Sequence, residues 1–575
     1  MDQTQHSLTC INHEICINNT PIQDPVIPFS NCDEYYGTSG GEISFPPVSS
    51  QILEEISVPN FPSPINLSSP QHSDDTSVDA REQSLRLQFI ETYKNIKRLN
   101  EKMTNFQIPK SLTKKDMREY LSKIKEYECT LNFRSITVLQ KSYGKEKRFL
   151  FPPPILELIN RTGWRKFKNE VKKFNKFHGL SENATNDDEI HTSCPSKLIG
   201  VAVYRGSFKR DNDVIEFDEA LNIASLKRIY FTHNSNEASS YIGEGFRKKH
   251  KYSISRIDAK LYFSCGIDIG SISTDDITII SKRCQGKSSC VRKDSENLFI
   301  LGGLKVALYG RMRGTSFQPK YINFENDSFI SSINKWKCLE IQIIDEEETN
   351  IYSDTSEIFT TSNNYLRYGD VIKIIDPKSR ISLPFLRILI ADTNIILSDY
   401  HVNSTRKKEY ISQLSKVALQ FVNDPKKFIS LSGDIITGKA STLVEENTYQ
   451  IDETCALQIA LAKEKEISFC CAKGLTPVPF IDGPIVDDVT ECGSNENYRI
   501  ELTGSGFNPF HEVWIGDEKI ETFMKSSKNM VAVPSIGQYT KFKNLSYAFH
   551  SDKLSIFIVR IDGVIYNTDF SICIK

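Results

Sequence analysis

Apolar and polar positions follow a helical period over two stretches before residue 128. From Ser84 to Met103 the apolar residues recur every three or four positions, which predicts an amphipathic helix that docks on the rest of the chain or binds a partner. Thr113 and Asp116 have the spacing of a capping box and predict the start of a second helix. The apolar face of this second helix consists of Met117, Tyr120, Leu121 and Ile124.

After the second helix the pattern changes to short β-branched or apolar runs divided by Gly, Asn and Asp. Such runs lie at Leu131–Leu139, Leu298–Leu308 and Leu386–Leu397. Helical patterns are few after residue 180, so the sequence predicts a mainly β protein of stacked sandwiches or barrels. Polar stretches at 175–196 and 232–246 predict long loop insertions.

The C-terminal part of the chain is predicted to form a compact β-sandwich of its own. Residues 474–479, with two prolines, form a candidate linker ahead of it. Runs typical of strands follow at 500–507, 513–516, 530–534 and 554–565. At 575 residues the chain is too long for one core and is expected to contain about three or four domains.

The formal charge of −2 conceals an uneven distribution of charge along the chain. Residues 1–80 contain no Lys or Arg and 11 Asp or Glu, so the remainder holds all 71 basic and 62 acidic residues, a net charge of +9. An acidic first segment on a basic body indicates that the body binds a polyanion. The Ser-, Pro-, Asn- and Asp-rich composition of 1–80 also predicts disorder.

Metal, disulfide, membrane and catalytic functions find little support in the sequence. The 14 Cys include no C-x-x-C pair and the ten His no H-x-x-x-H pair, so we expect free thiols in a reducing compartment and no cofactor. We expect neither a signal peptide nor a membrane span, because no apolar run is long enough for either. Gly266–Ser271 resembles a phosphate loop of sugar kinases, but its companion motifs are missing, so no enzyme is predicted.

One short segment, Gln140–Pro154, is the leading candidate for a DNA contact. It places a Gly turn and an aromatic residue among four basic residues and Glu146, and it ends on three prolines. An Arg fork matches guanine O6 and N7, and a carboxylate accepts from cytosine N4, so this loop suits readout of base edges. The alternative is a solvated, charged hairpin tip. Composition alone does not distinguish such a tip from a loop that contacts DNA bases.

A second basic stretch, Arg161–Lys176, places seven Lys or Arg among Trp164, Phe167 and Phe174. It is a candidate phosphate-contacting surface, because phosphate neutralisation supplies most non-specific affinity for DNA. The alternative is the solvated face of a helix or loop.

Several segments together resemble the CSL family of transcription factors, also called RBP-J or Suppressor of Hairless. Gln140–Pro154 is similar to the recognition loop of that family's Rel-homology-like domain, and Gly303–Arg313 is similar to the start of its β-trefoil domain. The resemblance runs in the family's order over about residues 108–575. Later trefoil and immunoglobulin-like segments of the family are similar to residues 365–373, 382–384, 412–416, 476–479 and 502–516.

The resemblance implies a mainly β fold with a Rel-homology-like N-terminal sandwich, a β-trefoil and a C-terminal immunoglobulin-like domain of the IPT/TIG type. The implied boundaries are a disordered acidic tail at 1–83, an amphipathic helix or linker at 84–107, and domains at 108–281, 282–474 and 480–575. It further implies a nuclear protein that binds a GTGGGAA-type element in double-stranded DNA as a monomer. With coregulators, such a protein would regulate transcription by RNA polymerase II.

The same resemblance assigns DNA contacts to individual residues. Arg148 would read the major groove, with Glu146 and Lys147 beside it and Tyr143 shaping the loop. A pair of arginines two positions apart on one strand face resembles the trefoil's phosphate or minor-groove contacts. That pair is Arg311 and Arg313, and the other expected contacts are Lys248, Lys249, Lys287, Arg292, Lys293 and Lys320.

The trefoil hairpin departs from the family pattern directly after its second arginine. Gly314 and Thr315 follow Arg313, where the family continues Ser-Gln. A short hydroxyl thus replaces an amide that both donates and accepts. Minor-groove patterns are degenerate and each contact contributes ~1–3 kcal/mol, so the change predicts a relaxed preference at one base pair, with binding retained.

A second departure concerns a protein partner. In animal members the trefoil carries an apolar pocket for a Trp-containing peptide of the Notch intracellular domain and of corepressors. Phe359 keeps the aromatic residue of this pocket, whereas Thr361, Ser382 and Gly438 stand where the family has Val, Ala and Gln. Two hydroxyls add desolvation cost and the glycine removes a wall, so weak or absent binding of the Notch-type peptide is expected.

The competing hypothesis is a scaffold of the same fold that acts mainly through protein partners and has little specific DNA affinity. The presence of Arg148, Arg311 and Arg313 favours a DNA reader, and the change at Gly314 and Thr315 favours the scaffold.

Overall fold

A computed structural model describes most of the chain from residue 111 onwards and is almost entirely β in that part. The described residues are 111–143, 146–177, 197–205, 212–231, 253–281, 298–310, 319–344, 364–391, 395–397, 409–445, 448–476, 478–548 and 553–572. The helix expected at 84–103, the acidic tail, the insertion at 232–246 and most of that at 175–196 lie outside these residues.

The described residues include four α-helices. Their bounds are α1 Lys114–Ser122, α2 Ile124–Tyr127, α3 Arg161–Phe177 and α4 Ile536–Ala548. The capping box that predicts α1 is present in both directions between Thr113 and Asp116. The predicted apolar face continues into α2, but Lys123 has a non-helical backbone (φ −142°, ψ 34°) and divides the two.

Helix α4 was not expected from the sequence, because the C-terminal part reads as strands throughout. A signal was present: Ser535 and Gln538 form a reciprocal capping box, with Ser535 N donating to Gln538 Oε1 (3.0 Å) and Gln538 N donating to Ser535 Oγ (3.3 Å). Buried Phe542 attaches the helix to the core.

The N-terminal sandwich consists of two sheets that enclose a core of aromatic and branched side chains. Its strands are β1 Cys129–Ile136, β2 Val138–Gln140, β3 Ile155–Ile159, β4 Leu198–Arg205, β5 Asn212–Glu216, β6 Ile223–Ser225, β7 Ser253–Phe263, β8 Asp268–Ser273 and β9 Ile277–Ile280. One sheet joins β1, β3 and β6, and the other has the order β2-β9-β7-β4-β5 with β8 on β7. Phe133 of β1, Phe263 of β7 and Trp164 of α3 are buried in this core.

The middle of the chain forms a closed barrel with attached hairpins and its own core. Its strands are β10 Lys305–Gly310, β11 Tyr321–Glu325, β12 Ser328–Ser332, β13 Leu339–Ile344, β14 Val371–Ile375, β15 Leu386–Ile390, β16 Ile395–Leu397, β17 Ser415–Phe421, β18 Lys427–Ser430, β19 Thr437–Ala440, β20 Thr442–Glu445, β21 Thr448–Gln450 and β22 Leu457–Cys471. The ring β10-β13-β14-β15-β17-β22 closes because β22 pairs with both β17 and β10.

Two predicted strands of this barrel are shorter than expected. The run at Leu298–Leu308 becomes a strand only from Lys305, because a turn at Gly302 and Gly303 (φ +81°) interrupts it. The run at Leu386–Leu397 contains two strands, β15 and β16.

The C-terminal part is a two-sheet sandwich, as predicted. Its strands are β23 Ile485–Cys492, β24 Arg499–Ser505, β25 His511–Ile515, β26 Glu518–Lys519, β27 Glu521–Ser526, β28 Asn529–Val533, β29 Leu554–Arg560 and β30 Val564–Ile572. One sheet has the order β23-β24-β28-β27, and the other joins β26, β25, β29 and β30. Helix α1 docks on this sandwich, where Tyr120 packs edge-on against Phe557 at 5.7 Å.

Strand β22 connects all three parts. Leu457–Leu461 pairs with β10 of the barrel, Ala462–Phe469 pairs with β1 of the N-terminal sandwich, and Phe469–Cys471 pairs with β30 of the C-terminal sandwich. Near its end, Phe469 stacks on Phe480 at 5.7 Å and meets Trp164 edge-on at 5.8 Å.

We predict that Phe469→Ala lowers the free energy of unfolding by about 3–5 kcal/mol, because the ring is 1% exposed and its removal leaves a cavity at this junction. Phe523→Ala is the matched control, since Phe523 is 51% exposed on edge strand β27 and its loss should change stability by less than about 0.5 kcal/mol. Urea denaturation of both variants measures the difference. Equal effects would contradict the role given to Phe469.

Candidate nucleic-acid interface

The segment Lys141–Leu150, here called the reading loop, is fixed at both ends by backbone hydrogen bonds. Lys141 N donates to Ile280 O (2.8 Å), directly after the end of β2. Ser142 N donates to Phe231 O (2.9 Å), and Leu150 N donates to Ile229 O (2.7 Å). The loop therefore projects from a firm base on the N-terminal sandwich; Gly144 and Lys145 at its tip lie outside the described residues.

A buried serine fixes the backbone of Arg148. Ser142 is 4% exposed, and its Oγ accepts a hydrogen bond from Arg148 N at 2.8 Å. Glu146 N donates to Tyr143 O at 3.0 Å and closes the turn. Nothing in the sequence marks Ser142 as a functional residue, because a lone serine carries no signal for a contact six residues away.

The guanidinium of Arg148 is held by Glu146 in a two-pronged ion pair. Nε and Nη2 of Arg148 donate to Oε1 and Oε2 of Glu146, each at 3.0 Å. These hydrogen bonds from Arg148 lower the pKa of Glu146 below its ordinary value, so the carboxylate stays ionised. The remaining Nη1–H and Nη2–H donors form the adjacent, terminal edge of the guanidinium, which is the edge that a guanine can accept from.

Aromatic rings support the cations of the loop. Tyr143, 47% exposed, has Lys141 Nζ at 5.4 Å and Arg148 Cζ at 5.8 Å from its ring centre. Lys147 Nζ lies 5.3 Å from the ring of Tyr230. Cation–π contacts of this kind are worth about 0.5–1 kcal/mol each at exposed sites, enough to bias where these flexible side chains point.

The residues directly after the reading loop pack against the barrel. The ring of Phe151 lies 5.2 Å from that of Tyr309 and 5.4 Å from that of Tyr321. Trp336 is fully buried, and its Nε1 donates to Pro153 O at 2.9 Å. Because Tyr309 is two residues before Arg311, this contact joins the reading loop to the strand that leads into the predicted arginine pair.

Ion pairs stabilise the same contact between the N-terminal sandwich and the barrel. Arg134 in β1 donates to Glu157 in β3, and Lys335 of the barrel lies 3.5 Å from the same carboxylate. Burial raises the pKa of Glu157, but Arg134 and Lys335 outweigh that effect and hold it below its ordinary value. Arg134 Cζ also lies 5.9 Å from the ring of Trp336.

Lys320 is engaged within the barrel. Its Nζ donates to Gly433 O at 2.9 Å and Ser432 O at 3.3 Å, and its carbonyl accepts from Gly310 N at 2.8 Å. Lys320 therefore closes the base of the segment that contains the arginine pair. The remaining predicted DNA contacts, Lys248, Lys249, Lys287, Arg292, Lys293, Arg311, Arg313, Gly314 and Thr315, lie outside the described residues.

Two of the four predicted pocket positions are described. Ser382 is half-buried and bridges to Ile375, and Gly438 is exposed in β19. A Cβ at Gly438 would lie 2.9 Å from Cε2 of Phe421, so this ring occupies the place where a side chain at 438 would begin. Phe359 and Thr361 lie outside the described residues.

Helix α3 lies at the opposite end of the N-terminal sandwich from the reading loop. Trp164 Nε1 donates to Thr130 O at the start of β1 (2.9 Å), and Phe167 packs against Phe263 at the end of β7 (5.6 Å). Both aromatic side chains belong to the core. Over the described part of the chain, no helix is long and apolar enough to cross a membrane.

Sequence models of three protein families match this chain in succession. The model described as "LAG1, DNA binding" matches residues 134–294, the beta-trefoil DNA-binding domain matches 325–469, and the TIG domain matches 483–572. These matches confirm the mainly β fold class and the three kinds of domain, in the predicted order.

Curated relatives span most of the chain. A human protein called recombining binding protein suppressor of hairless-like protein is 25% identical over 451 residues, which cover 77% of this chain and 79% of that protein. The mouse protein of the same name is 25% identical over 450 residues, covering 76% and 77%. Transcription factor cbf11 of Schizosaccharomyces pombe is 21% identical over 283 residues, covering 48% of this chain and 38% of that protein.

Proposed function

The chain belongs to the CSL family of DNA-binding transcription factors, and we propose that it reads a GTGGGAA-type element in double-stranded DNA through the reading loop. The observation that carries the proposal is the arginine fork of Arg148, which Glu146 and Ser142 hold on a loop anchored at both ends. A pre-positioned fork loses little conformational freedom when it binds a base, so more of its hydrogen-bond energy appears as specificity.

In this proposal the two donor edges of the Arg148 guanidinium bind different partners. The Nε–Nη2 edge stays on Glu146, while the Nη1–Nη2 edge donates to O6 and N7 of a guanine in the major groove. Glu146 thus acts chiefly by orienting Arg148. Lys141 and Lys147, held near Tyr143 and Tyr230, are suited to the flanking phosphates.

We propose a second contact by Arg311 and Arg313 in the minor groove or on its phosphates. The packing of Phe151 on Tyr309 supports it, because this contact ties the strand that precedes Arg311 to the reading loop. Gly314 and Thr315 would relax the preference at one base pair of the element. Lys320, whose amine binds backbone carbonyls, would hold the base of the segment that makes this contact.

The proposal extends to the protein's wider role. It assigns 108–281 and 282–474 to DNA binding and 480–575 to the immunoglobulin-like domain. In this proposal the protein is a monomer in the nucleus, where it regulates transcription by RNA polymerase II together with coregulators. The protein catalyses no reaction. The scaffold hypothesis predicts instead that binding to DNA is equal for all sequences, and the same experiment tests it.

We predict that Arg148→Ala weakens binding to a GTGGGAA duplex by about 5- to 150-fold, because one bidentate base contact is worth about 1–3 kcal/mol. Binding to a scrambled duplex should change far less. Arg118→Ala is the matched control, since Arg118 lies on α1 and pairs with Asp517 of the C-terminal sandwich. Fluorescence anisotropy at fixed salt measures the wild type and both variants on both duplexes, and equal wild-type affinity for the two duplexes would favour the scaffold.

We further propose that the trefoil binds a Notch-type Trp peptide weakly or not at all. Ser382 adds a hydroxyl to the expected pocket, and the ring of Phe421 lies against Gly438. Calorimetric titration should give a Kd weaker than about 10 μM, with a Trp→Ala peptide as the control for non-specific heat. Submicromolar affinity that depends on the Trp would contradict this.

A further inference from the structure

Helix α3 displays a continuous row of cations that the reading loop does not use. We call Arg165, Lys168, Lys172 and Lys176 the basic stripe; their spacing of three or four residues places them on one face of the helix. Arg165, Lys172 and Lys176 are exposed and Lys168 is half-buried. At 1.5 Å per residue the stripe is about 17 Å long.

Among the described residues, Lys166 and Lys173 of α3 have acidic partners, whereas the four residues of the basic stripe have none. Lys166 Nζ lies 2.8 Å from Glu126 and 3.9 Å from the ring of Tyr127, and Lys173 Nζ lies 2.7 Å from Glu170. None of the four stripe residues forms an ion pair with any described residue. Like charges at this spacing repel and destabilise a helix, so the stripe costs stability that an anionic partner would restore.

The geometry separates the stripe from the DNA-reading surface. Strand β7 begins at Ser253, which pairs with Ile279 beside the loop anchor Ile280, and it ends at Phe263, which contacts Phe167 of α3. Eleven residues at about 3.3 Å each place these two ends roughly 30 Å apart. A groove that the reading loop enters therefore lies at the other end of the sandwich from α3.

The chemistry of the stripe favours an acidic protein segment over a second nucleic acid. Single-stranded nucleic acids bind where cations stand beside exposed aromatic rings, but Trp164 and Phe167 of α3 are buried in the core. Carboxylates three or four residues apart on a helix have the same spacing as the stripe cations. We propose that the basic stripe docks an acidic helical segment of a coregulator while the reading loop holds DNA.

The test measures binding of a fluorescent synthetic helical peptide, with Glu at every third or fourth position on one face, to the full chain. The variant R165Q/K168Q/K172Q/K176Q should weaken its binding by about tenfold, because each exposed ion pair contributes a fraction of a kcal/mol. The control variant K115Q/K426Q/K528Q/K553Q removes the same charge at exposed sites elsewhere and should leave the Kd within twofold. Equal losses in both variants would overturn the proposal.

Two further measurements separate the stripe from DNA binding and from general charge attraction. Affinity for the GTGGGAA duplex should stay within twofold in the stripe variant, and a tenfold loss would make the stripe a DNA contact and overturn the proposal. A peptide of the same composition with its Glu residues scattered around the helix should bind at least about fivefold more weakly. Equal binding of both peptides would also overturn it.

Reversing the charges of both the basic stripe and the peptide distinguishes a lost contact from a folding defect in the variant. The variant R165E/K168E/K172E/K176E should bind a peptide in which Lys replaces Glu, and failure of this rescue would contradict docking. Residues 182–189 of the chain itself carry four carboxylates, so E182Q/D187N/D188N/E189Q is measured in parallel. An unchanged peptide Kd is expected, whereas a tenfold gain would assign the stripe to that segment and overturn an external partner.

Discussion

The arrangement of the three domains depends on the backbone hydrogen bonds of one strand, β22. Its first residues close the barrel against β10, its middle extends the sheet of β1, and its last residues pair with β30. Alternating charges reinforce this: Lys463 and Lys465 lie 3.4 Å and 3.3 Å from Asp275, and Glu464 lies 2.8 Å from Lys305. A continuous strand cannot bend freely between sheets, so the domains share one framework.

That framework gives the reading loop a defined orientation towards the barrel. Phe151 and Pro153, directly after the loop, contact Tyr309 and Trp336 of the barrel. The fork of Arg148 and strand β10, which ends directly before Arg311, are thus attached to the same contact between the sandwich and the barrel. In the proposed function, two groove contacts held at a fixed distance would recognise one register on the duplex, which would let a monomer be specific without a symmetric partner.

Local signals in the sequence were sufficient for some features and insufficient for others. The capping box at Thr113 is a local signal, and it predicts α1 correctly. The residue types of the reading loop are also local and single out Arg148 and Glu146, but they do not indicate that these two side chains pair with each other. The continuity of β22 and the contact of buried Arg560, whose Nη1 donates to Pro479 O at 2.6 Å, depend on residues distant in sequence. The hydrogen bond between Ser142 and Arg148 spans only six residues, but it depends on the irregular path of the loop. Such contacts leave no periodicity to read, because each requires the fold to bring its partners together.

The barrel orients the reading loop through the hydrogen bond between Trp336 and Pro153, and the substitution Trp336→Phe removes that bond. This substitution keeps an aromatic ring but removes the N–H that binds Pro153 O. The ratio of affinities for a GTGGGAA duplex and a scrambled duplex should fall about fivefold, while affinity for the scrambled duplex and its salt dependence stay unchanged. An unchanged ratio, or an equal loss on both duplexes, would contradict the account.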